Sequence, residues 1–563
     1  MATVSSSSGG LTFAAHRGEG AALLAFDVEQ SLHESLAGFA VRYRSPEGRE
    51  FTINNRLTFA DPVTADTSPA ERRAIVTPTD EAPIQKFHWV HFPRRVPAGK
   101  FLYTATAMLF AGGSEDQLEA GPETSLEIDL REDAHANFEL GFTRGELSSQ
   151  AYAELFDNAP LYPDPQTFDF PSEKFVDQWR WLGFQARELV YRMLQEAVDD
   201  GGSKLDVLAF DLDEPDLIRQ LERLGPRLRT FLDDSGSHVH HAGSDDPPEV
   251  GAKEALLHSA GADNVRTGHF GSLAHDKIFI LTRGDGTHKV LSGSANFSVR
   301  GLYAQSNSVF VFEGDGPAER FSSVFEAAWE DPSHFRSSDL AKEWFDLSGQ
   351  GLPEAAVSFA PHGDPGLSLD RVADAIDGAE NSLLFAIMDI GGASGPVMDR
   401  IEKLRDRKDL YAFGTTQRLT GELKATTPTD PDSPFIPFDY LRSKAPEPFR
   451  AEYSGGSGIS IHHKFIVCDF NGTHPLAYAG SSNLAEGGES DNGDNLVEFS
   501  DPMVVSSYAV EAIKLIDHYR FRAVQHRASE SKPLRLKRRP ERWAADYFDP
   551  DSPRCLEREL FVR

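Results

Sequence analysis

Apolar and polar residues alternate along the first 135 residues, with turn-forming residues between the runs. Alternation at a period of two is typical of strands that bury one face. The runs are Leu23 to Val28, Phe39 to Tyr43, Phe51 to Ile53, Phe101 to Met108 and Leu126 to Leu130. Residues 1–135 are therefore predicted to form a β-sandwich of the immunoglobulin-like type. They contain no catalytic constellation, so a binding or shielding module and a structural cap remain equal alternatives.

From residue 136 onward the pattern changes to buried strands alternating with amphipathic helices, and it does so twice. The first series has strands at Phe138 to Phe142 and Leu205 to Phe210, and helices at Glu188 to Val198 and Pro215 to Leu224. The second series has strands at Val357 to Phe359 and Leu383 to Met388, and a helix at Leu369 to Ile376. The central strands end in Asp211 and Asp389. The repetition predicts an α/β fold of two parallel-sheet halves, 136–350 and 351–530, related by a pseudo-twofold axis and followed by a basic C-terminal tail, 531–563.

One short polar motif occurs in each half with the same spacing. The first copy is His275-Asp276-Lys277, with Gly293-Ser294-Ala295-Asn296 starting eighteen residues after the histidine. The second copy is His462-His463-Lys464, with Gly480-Ser481-Ser482-Asn483 at the same distance. Each copy is predicted to form strand, turn and strand, with the polar residues gathered at one end. A duplicated motif at fixed spacing is far more specific than a single short match.

At these residues the sequence resembles the phospholipase D superfamily, whose motif H-x-K-x(4)-D followed by G-S-x-N is present twice per active site. The second copy is complete, with Asp469 at the aspartate position, whereas Thr282 stands there in the first copy. The flanking sequences are most similar to the bacterial, nuclease-like branch. The resemblance spans roughly residues 136 to 530 and implies phosphodiesterase chemistry without a metal or other cofactor. Because fold does not imply function, an inactive relative remains an alternative.

Cleavage of a phosphodiester requires an attacking group, a proton donor for the leaving oxygen and donors that neutralise the phosphate oxygens. Imidazole can fill either of the first two roles near neutral pH, and the intermediate would be a covalent phosphohistidine. Following the family tendency, His275 is predicted to be the nucleophile and His462 the general acid. The oxygens would be surrounded by Lys277, Lys464, Asn296 and Asn483. Supporting motif positions are Ser294, Ser481 and Asp469. Since each half supplies one histidine, the site is predicted at the interface of the halves.

An acceptor usually holds a catalytic imidazole in one orientation. The resemblance implies an acidic residue on the strand after the asparagine, and Glu498 fits that place in the second copy. The corresponding stretch of the first copy, 307–310, has no acid. Glu498 is therefore predicted to steady His275 across the pseudo-twofold axis, with a solvated strand-end charge as the alternative.

The formal net charge of −32 opposes binding to a polyanion or to an anionic membrane surface. An enzyme on nucleic acid needs a basic channel, and one on lipid needs an apolar element for docking. A small phosphodiester or a nucleotide avoids both difficulties. The sequence thus predicts a nuclease-like phosphodiesterase for nucleic acid or a small diester. The alternatives are a phospholipase D acting on phosphatidyl groups and an inactive phosphate-binding or interaction protein.

Two cysteines, Cys468 and Cys555, cannot build a disulfide framework, which favours a reducing compartment. No secretory signal is visible, and no apolar run approaches the roughly twenty residues that span a bilayer. A cytoplasmic protein without stable membrane insertion is predicted. A partner for the N-terminal region stays open.

Three local features admit two interpretations each. His238, His240 and His241 could bind a metal together with Asp245 or Asp246, but the surrounding Ser, Gly and Pro favour a polar loop. The Pro- and Asp-rich segment 425–434 either gates the substrate or is disordered. A solvated or docking tail is predicted ahead of a nucleic-acid contact for the basic run Lys532, Arg535, Lys537, Arg538, Arg539 and Arg542.

Overall fold

The alternating segments of the first 130 residues form two four-stranded antiparallel sheets in the computed structural model of the chain. The structure describes residues 2–59, 76–93, 96–97, 99–130, 135–145, 152, 155–163, 168–239, 246–390, 393–419, 435–437, 461–527 and 535–563. The strands of this region are β1 (Thr3–Ser8), β2 (Leu11–Arg17), β3 (Ala22–Val28), β4 (Leu36–Arg44), β5 (Glu50–Thr52), β6 (Asn54–Asn55), β7 (Thr77–Pro78), β8 (His88–His91), β9 (Lys100–Phe110) and β10 (Leu118–Asp129). One sheet has the order β1-β2-β3-β8 and the other β10-β9-β4-β5, while β6 pairs with β7.

Aromatic side chains from both sheets fill the space between them. The ring of Phe26 stacks on Phe13 of its own sheet, with centroids 5.5 Å apart, and on Phe39 of the other sheet at 4.4 Å. All three side chains are fully buried. Along a strand, positions that face the space between the sheets alternate with positions that face away from it, which explains the period-two pattern of the sequence.

The first sheet after residue 135 is mixed, so the prediction of parallel-sheet halves is wrong in this respect. Its strands are β11 (Phe138–Phe142), β12 (Lys204–Ala209), β13 (Leu228–Asp233), β14 (Val265–Gly268), β15 (Lys277–Thr282), β16 (His288–Gly293) and β17 (Ser308–Glu313), in the order β11-β17-β16-β15-β12-β13-β14. Only β12, β13 and β14 are parallel neighbours. A short turn joins β15 to β16, and such a connection forces antiparallel pairing. The helices are α1 (Val176–Asp199, with a non-helical residue at Phe184), α2 (Pro215–Glu222), α3 (Pro248–Ala260) and α4 (Asp315–Glu330).

The next sheet repeats this strand order. Its strands are β18 (Phe345–Asp346), β19 (Ala355–Ala360), β20 (Ser382–Ile390), β21 (Tyr411–Leu419), β22 (Phe435–Pro437), β23 (Phe465–Cys468), β24 (Leu476–Gly480) and β25 (Asp494–Phe499). The order is β18-β19-β25-β24-β23-β20-β21-β22. Read from β19 to β22, it matches the order of the first sheet read from β11 to β14. The helices are α5 (Gly366–Gly378), α6 (Pro396–Glu402), α7 (Glu486–Asp491), α8 (Pro502–Arg527) and α9 (Pro553–Phe561). None of the described helices combines the length and apolarity needed to cross a membrane.

A shared apolar core joins the two mixed sheets. Phe312 of β17 and Phe499 of β25 stack with centroids 6.3 Å apart, and Tyr508 of α8 lies 6.2 Å from Phe499. All three are buried in one cluster that also includes residues of β11, β19 and α4. Because this cluster belongs to both sheets, the ends of their strands are fixed relative to each other.

The segment predicted to be a basic tail is folded where the structure describes it. Trp543 and Tyr547 are buried in the core of the N-terminal sheets, and the indole nitrogen of Trp543 donates to the carbonyl of Leu36 at 2.8 Å. Phe561 of α9 is fully buried, and its carbonyl lies 2.6 Å from Nε2 of His16. The segment therefore docks within its own chain. Lys532 and the loop 425–434 lie outside the described residues.

His88 connects three separate parts of the chain. Its Nε2 lies 2.9 Å from Asp517 of α8 and its Nδ1 2.9 Å from Glu557 of α9. Burial alone would lower the pKa of this imidazole, but the two carboxylates outweigh it and raise the pKa to about 9. His88 is consequently an imidazolium at neutral pH and binds β8 to both C-terminal helices.

The contribution of His88 to stability should disappear at alkaline pH. A folded-state pKa of about 9 against an ordinary 6.5 means that the stabilisation is complete below pH 6.5 and is lost as the pH rises through 9. The free energy of unfolding, measured with urea between pH 6 and 10, should fall by on the order of 3 kcal/mol. His88→Gln should abolish most of that slope. His91→Gln is the matched control, since burial lowers the pKa of His91 to about 3 and keeps it neutral throughout. An unchanged slope in His88→Gln would contradict the assignment.

Candidate active site

Two short β-bridges bring the motif copies together. Ala274 pairs with Gly493 and Ser306 pairs with Ile461, in both cases in parallel orientation. Each bridge joins the residue before a motif histidine to a residue at the start of a strand in the other sheet. The peptide nitrogen of Gly493 donates to the carbonyl of Leu273 at 2.8 Å. Both histidines consequently lie where the two sheets meet.

His275 receives its hydrogen-bond partner from the other sheet. Its Nδ1 lies 2.7 Å from Oδ1 of Asp494, the first residue of β25. The hydroxyl of Ser481 donates to the same oxygen at 2.7 Å. His275 and Asp494 are both buried. The carboxylate fixes the hydrogen on Nδ1 and leaves Nε2 as the reactive nitrogen.

His462 has the same arrangement with a neutral partner. Its Nδ1 lies 2.9 Å from Oδ1 of Asn307, which also accepts from the hydroxyl of Ser294 at 2.8 Å. The amide nitrogen of Asn307 donates to the carbonyl of Gly301 at 2.8 Å, which fixes which end of the amide faces the imidazole. The second histidine is thus held by an amide oxygen where the first is held by a carboxylate.

The prediction that Glu498 orients His275 is wrong. Its carboxylate accepts from Nε of Arg371 at 2.7 Å and from the hydroxyl of Tyr478 at 2.6 Å. Asp494 lies on the same strand and fills the predicted role. Asp494 and Asn307 each stand fourteen residues after the glycine of their motif. Extending the motif alignment to that position would have found both orienting residues.

The motif glycines allow the orienting serines to reach their partners. A Cβ atom on Gly293 would lie 2.2 Å from the carbonyl oxygen of Ser308, and one on Gly480 would lie 2.3 Å from that of Asn495. Both distances are far inside van der Waals contact, so only glycine permits this approach of neighbouring strands. Ser294 and Ser481 follow directly and point their hydroxyls at Asn307 and Asp494.

Asp469 caps the far end of the motif strand. Its carboxylate accepts from the peptide nitrogens of Glu380, Asn381 and Ser382 at 2.7–2.9 Å. In the first sheet, where Thr282 replaces the aspartate, Asp200 accepts from the peptide nitrogen of Gly284 at 2.7 Å. The departure from the motif therefore falls at the strand end remote from the histidines.

Two buried lysines supply the positive charge of the site. The ammonium of Lys277 donates to the carbonyl of His275, and that of Lys464 to the carbonyl of His462 at 3.0 Å. Burial lowers the pKa of Lys277 to about 8 and that of Lys464 well below its ordinary value, the latter further through Lys277. Burial and both lysines hold the pKa of His275, and equally that of His462, well below the usual range. A neutral imidazole beside two cations suits attack on an anion placed between them.

The motif asparagines differ in their surroundings. The amide nitrogen of Asn296 donates to Oδ2 of Asp211 at 2.5 Å, whereas Asn483 occupies the equivalent place after β24 and is half-buried. Asp211 also contacts His238, which is buried and lies between two aspartates. The predicted loop holds for the backbone at His238, which belongs to no helix or strand, but its side chain is buried; His240, His241 and Asp245 lie outside the described residues. Ligand atoms of Asp211, His238 and Glu249 lie within 4.8 Å of one another, but both His238 nitrogens already contact carboxylates.

Solved structures similar to this one share little of its sequence. Polyphosphate kinase from Porphyromonas gingivalis is 12% identical with a TM-score of 0.38, covering 63% of this chain, which spans about half, 52%, of the kinase. Phosphatidylserine synthase from Haemophilus influenzae is 12% identical with a TM-score of 0.38, covering 60% of this chain and 84% of the synthase. Nuc from Salmonella typhimurium, a phospholipase D family member, is 20% identical with a TM-score of 0.20, covering 26% of this chain and 87% of Nuc.

These neighbours are members of the phospholipase D superfamily. The superfamily that the two motif copies resemble is thus also the superfamily of these neighbours. No protein-family model and no curated protein sequence matches the chain.

Sulfate binding should test the positive charge of the buried lysines without any turnover. Sulfate keeps its double charge from pH 6 to 10, whereas Lys277, with a pKa of about 8, loses its proton in that interval. Affinity measured by calorimetry should therefore fall as the pH rises through 8. Lys277→Ala should weaken binding at pH 6.5 by about 10- to 100-fold, the range of a charged hydrogen bond. Lys289→Ala, which removes a lysine paired with Glu196 and Glu313, is the control and should change nothing. Equal affinities in all three proteins would place the anion elsewhere.

Proposed function

We propose that the chain is a metal-independent phosphodiesterase that acts through a covalent phosphohistidine. The observation that carries this proposal is the reciprocal pairing of the motif histidines, in which each Nδ1 is held by the opposite sheet. Both Nε2 atoms are then left to act on one phosphorus atom from two sides, once the ammonium of Lys464, 3.3 Å from Nε2 of His462, turns to the phosphate. In-line displacement requires that arrangement of nucleophile and proton donor.

His275 is the nucleophile in this mechanism. Its Nε2 attacks phosphorus while His462, protonated once the bound phosphate offsets the charge of the lysines, donates a proton to the leaving oxygen. His462 then removes a proton from water, which attacks phosphorus and breaks the P–N bond to release His275. The lysines and asparagines of the motifs hold the non-bridging oxygens, whose charge increases in the transition state.

The unequal orienting residues support this assignment of roles. When Nε2 of His275 bonds to phosphorus and Nδ1 keeps its hydrogen, the ring gains positive charge. The carboxylate of Asp494 at 2.7 Å stabilises that charge better than the amide oxygen of Asn307 would. His462 carries its charge only until it gives up the proton, so a neutral partner favours the transfer.

A small phosphodiester, a nucleotide or a short nucleic acid fits the site better than a long polyanion. The net charge of −32 repels extended nucleic acid, whereas a small diester meets only the local charge of the lysines. The sheets that contain the motifs correspond to two pseudo-twofold-related halves, 136–350 and 351–530. Residues 1–135 are a β-sandwich that serves as a binding or shielding module or as a structural cap. Two buried free cysteines fit a cytoplasmic location.

Both histidines should be required for turnover. His275→Ala and His462→Ala should each abolish hydrolysis of bis(p-nitrophenyl) phosphate in the presence of a chelator, because one imidazole cannot both attack and protonate. Trapping with acid and mapping by mass spectrometry should find phosphate on His275. His474→Ala, a histidine in the β23–β24 turn, is the control.

Three outcomes of that experiment would change the proposal. Substantial turnover by either variant would remove the two-histidine mechanism. Phosphate on His462 alone would reverse the two roles. Absence of turnover by the unmodified protein on diesters, nucleic acids and phosphatidyl lipids alike would favour an inactive phosphate-binding protein.

Substitutions of Asp494 and of Glu498 should have different effects on kcat. Asp494→Asn keeps the shape of the side chain but removes its charge, and kcat should fall by about 10- to 100-fold, as is common for partners of catalytic histidines. Glu498→Gln should stay within about twofold of the unmodified protein, since Glu498 bonds to Arg371 and Tyr478 rather than to a motif residue. A site that needs one neutral and one protonated imidazole gives a bell-shaped dependence of kcat on pH, which should persist in Glu498→Gln. A larger loss in Glu498→Gln than in Asp494→Asn would restore the original prediction.

A further inference from the structure

His238 links two aspartates that both reach into the candidate active site. Its Nδ1 lies 2.8 Å from Oδ1 of Asp233 and its Nε2 lies 2.9 Å from Oδ1 of Asp211. The imidazole is 8% exposed, and Asp233 is 4% exposed. Phe210 packs edge-on against the rings of both His238 and His275, with centroids 4.6 and 4.9 Å away. His238 therefore belongs to the wall of the site although it lies far from both motifs in sequence.

Each aspartate holds one part of the catalytic machinery with its second oxygen. Oδ2 of Asp211 accepts from the amide nitrogen of Asn296 at 2.5 Å. Oδ2 of Asp233 accepts from the peptide nitrogen of Ala274 at 2.6 Å, one residue before His275. Two carboxylates so close to one imidazole would repel each other without a positive charge between them.

In the second sheet, an uncharged side chain accepts from the peptide nitrogen that precedes the motif histidine. Gln417, two residues before the end of β21, takes the place that Asp233 has in β13, and its Oε1 accepts from the peptide nitrogen of Ile461 at 3.1 Å. Ile461 precedes His462 as Ala274 precedes His275. An amide therefore suffices to hold this peptide. The first sheet uses a carboxylate there, and His238 compensates its charge.

We propose that His238 is a positioning residue of the candidate active site, which clamps Asp211 and Asp233 and through them fixes Asn296 and the peptide before His275. Burial lowers the pKa of His238, but the bonds to Asp211 and Asp233 outweigh it, together with the nearby Glu249, and raise the pKa to about 10. The clamp is therefore charged at neutral pH. Its effect on turnover rests on the proposed phosphodiesterase function, whereas its effect on anion binding does not.

The test combines a single variant with a compensating one. His238→Gln leaves two uncompensated carboxylates, and kcat should fall by about 10- to 100-fold, as for other supporting partners of a catalytic site, with little change in KM. Sulfate affinity should also fall, because Asn296 loses its fixed orientation. A double variant adds Asp233→Gln to His238→Gln. It gives the first sheet the amide that Gln417 provides in the second. This double variant should recover most of the lost kcat, to within about fivefold, because the two sites are in contact and their effects are not additive.

His269→Gln is the matched control. His269 also contacts an aspartate, Asp234, at 2.7 Å, but it is 51% exposed in its side chain and touches no motif residue among those described. Its kcat and sulfate affinity should equal those of the unmodified protein. Folding of every variant is checked by circular dichroism and urea unfolding. If His238→Gln does not fold, Asp211→Asn replaces it, with the same expected loss of kcat and sulfate affinity.

Several results would overturn the positioning role. Unchanged kcat and sulfate affinity in the folded single variant would do so, and so would equal losses in the single and double variants. A chelator that lowers sulfate affinity of the unmodified protein, with recovery on adding Zn²⁺ alone, would replace the clamp by a metal site. If the unmodified protein turns over no diester, the proposed function fails, and the sulfate measurements alone decide the role of His238.

Discussion

The candidate active site depends on one constraint: a buried imidazole must have an acceptor for its Nδ1 hydrogen, and each motif histidine finds that acceptor only in the opposite sheet. Asp494 serves His275 and Asn307 serves His462, both at less than 3 Å. The β-bridges beside them set the register of these contacts. Neither sheet can therefore form a working half-site alone, and the shared core of Phe312 and Phe499 is as necessary to the site as the motifs themselves.

A strongly acidic chain thus holds two buried lysines at its candidate active site. Lys277 and Lys464 are almost completely buried, and burial of two like charges is costly unless anions stand nearby. Asp494 and Asp211 both raise the pKa of these lysines, against the larger effect of burial. One additional negative charge beside the lysines, that of a bound phosphate, would favour their protonated forms. The two lysines offer little to a long polyanion, since the attraction does not extend over the surface.

Much of the architecture follows from local patterns. Alternation along β3, β4 and β9 predicted strands correctly, and the duplicated motif predicted two related sheets with their histidines at one interface. What failed depends on contacts between distant segments. Glu498 and Asp494 lie on the same strand, and only the bridge between Ala274 and Gly493 decides which of them meets His275.

Similar reasons explain the other errors. The sequence around His238 has the composition of a loop, and nothing local indicates that Asp211 and Asp233 converge on it. The basic residues of the last thirty positions predicted exposure, whereas the apolar Trp543, Tyr547 and Phe561 determine where that segment lies. A few buried aromatic side chains outweigh many charges, because each charge can remain in water while the chain docks.

The insertion of Trp543 and Tyr547 into the core of the N-terminal sheets has a consequence for synthesis on the ribosome. Residues made first and residues made more than four hundred positions later share one apolar cluster, and His16 contacts the carbonyl of Phe561. While the chain is growing, part of the apolar surface of the N-terminal sheets remains uncovered. Completion of the first folded unit is therefore postponed until the last helix has left the exit tunnel, and the nascent protein passes through a long interval in which chaperones have a surface to recognise.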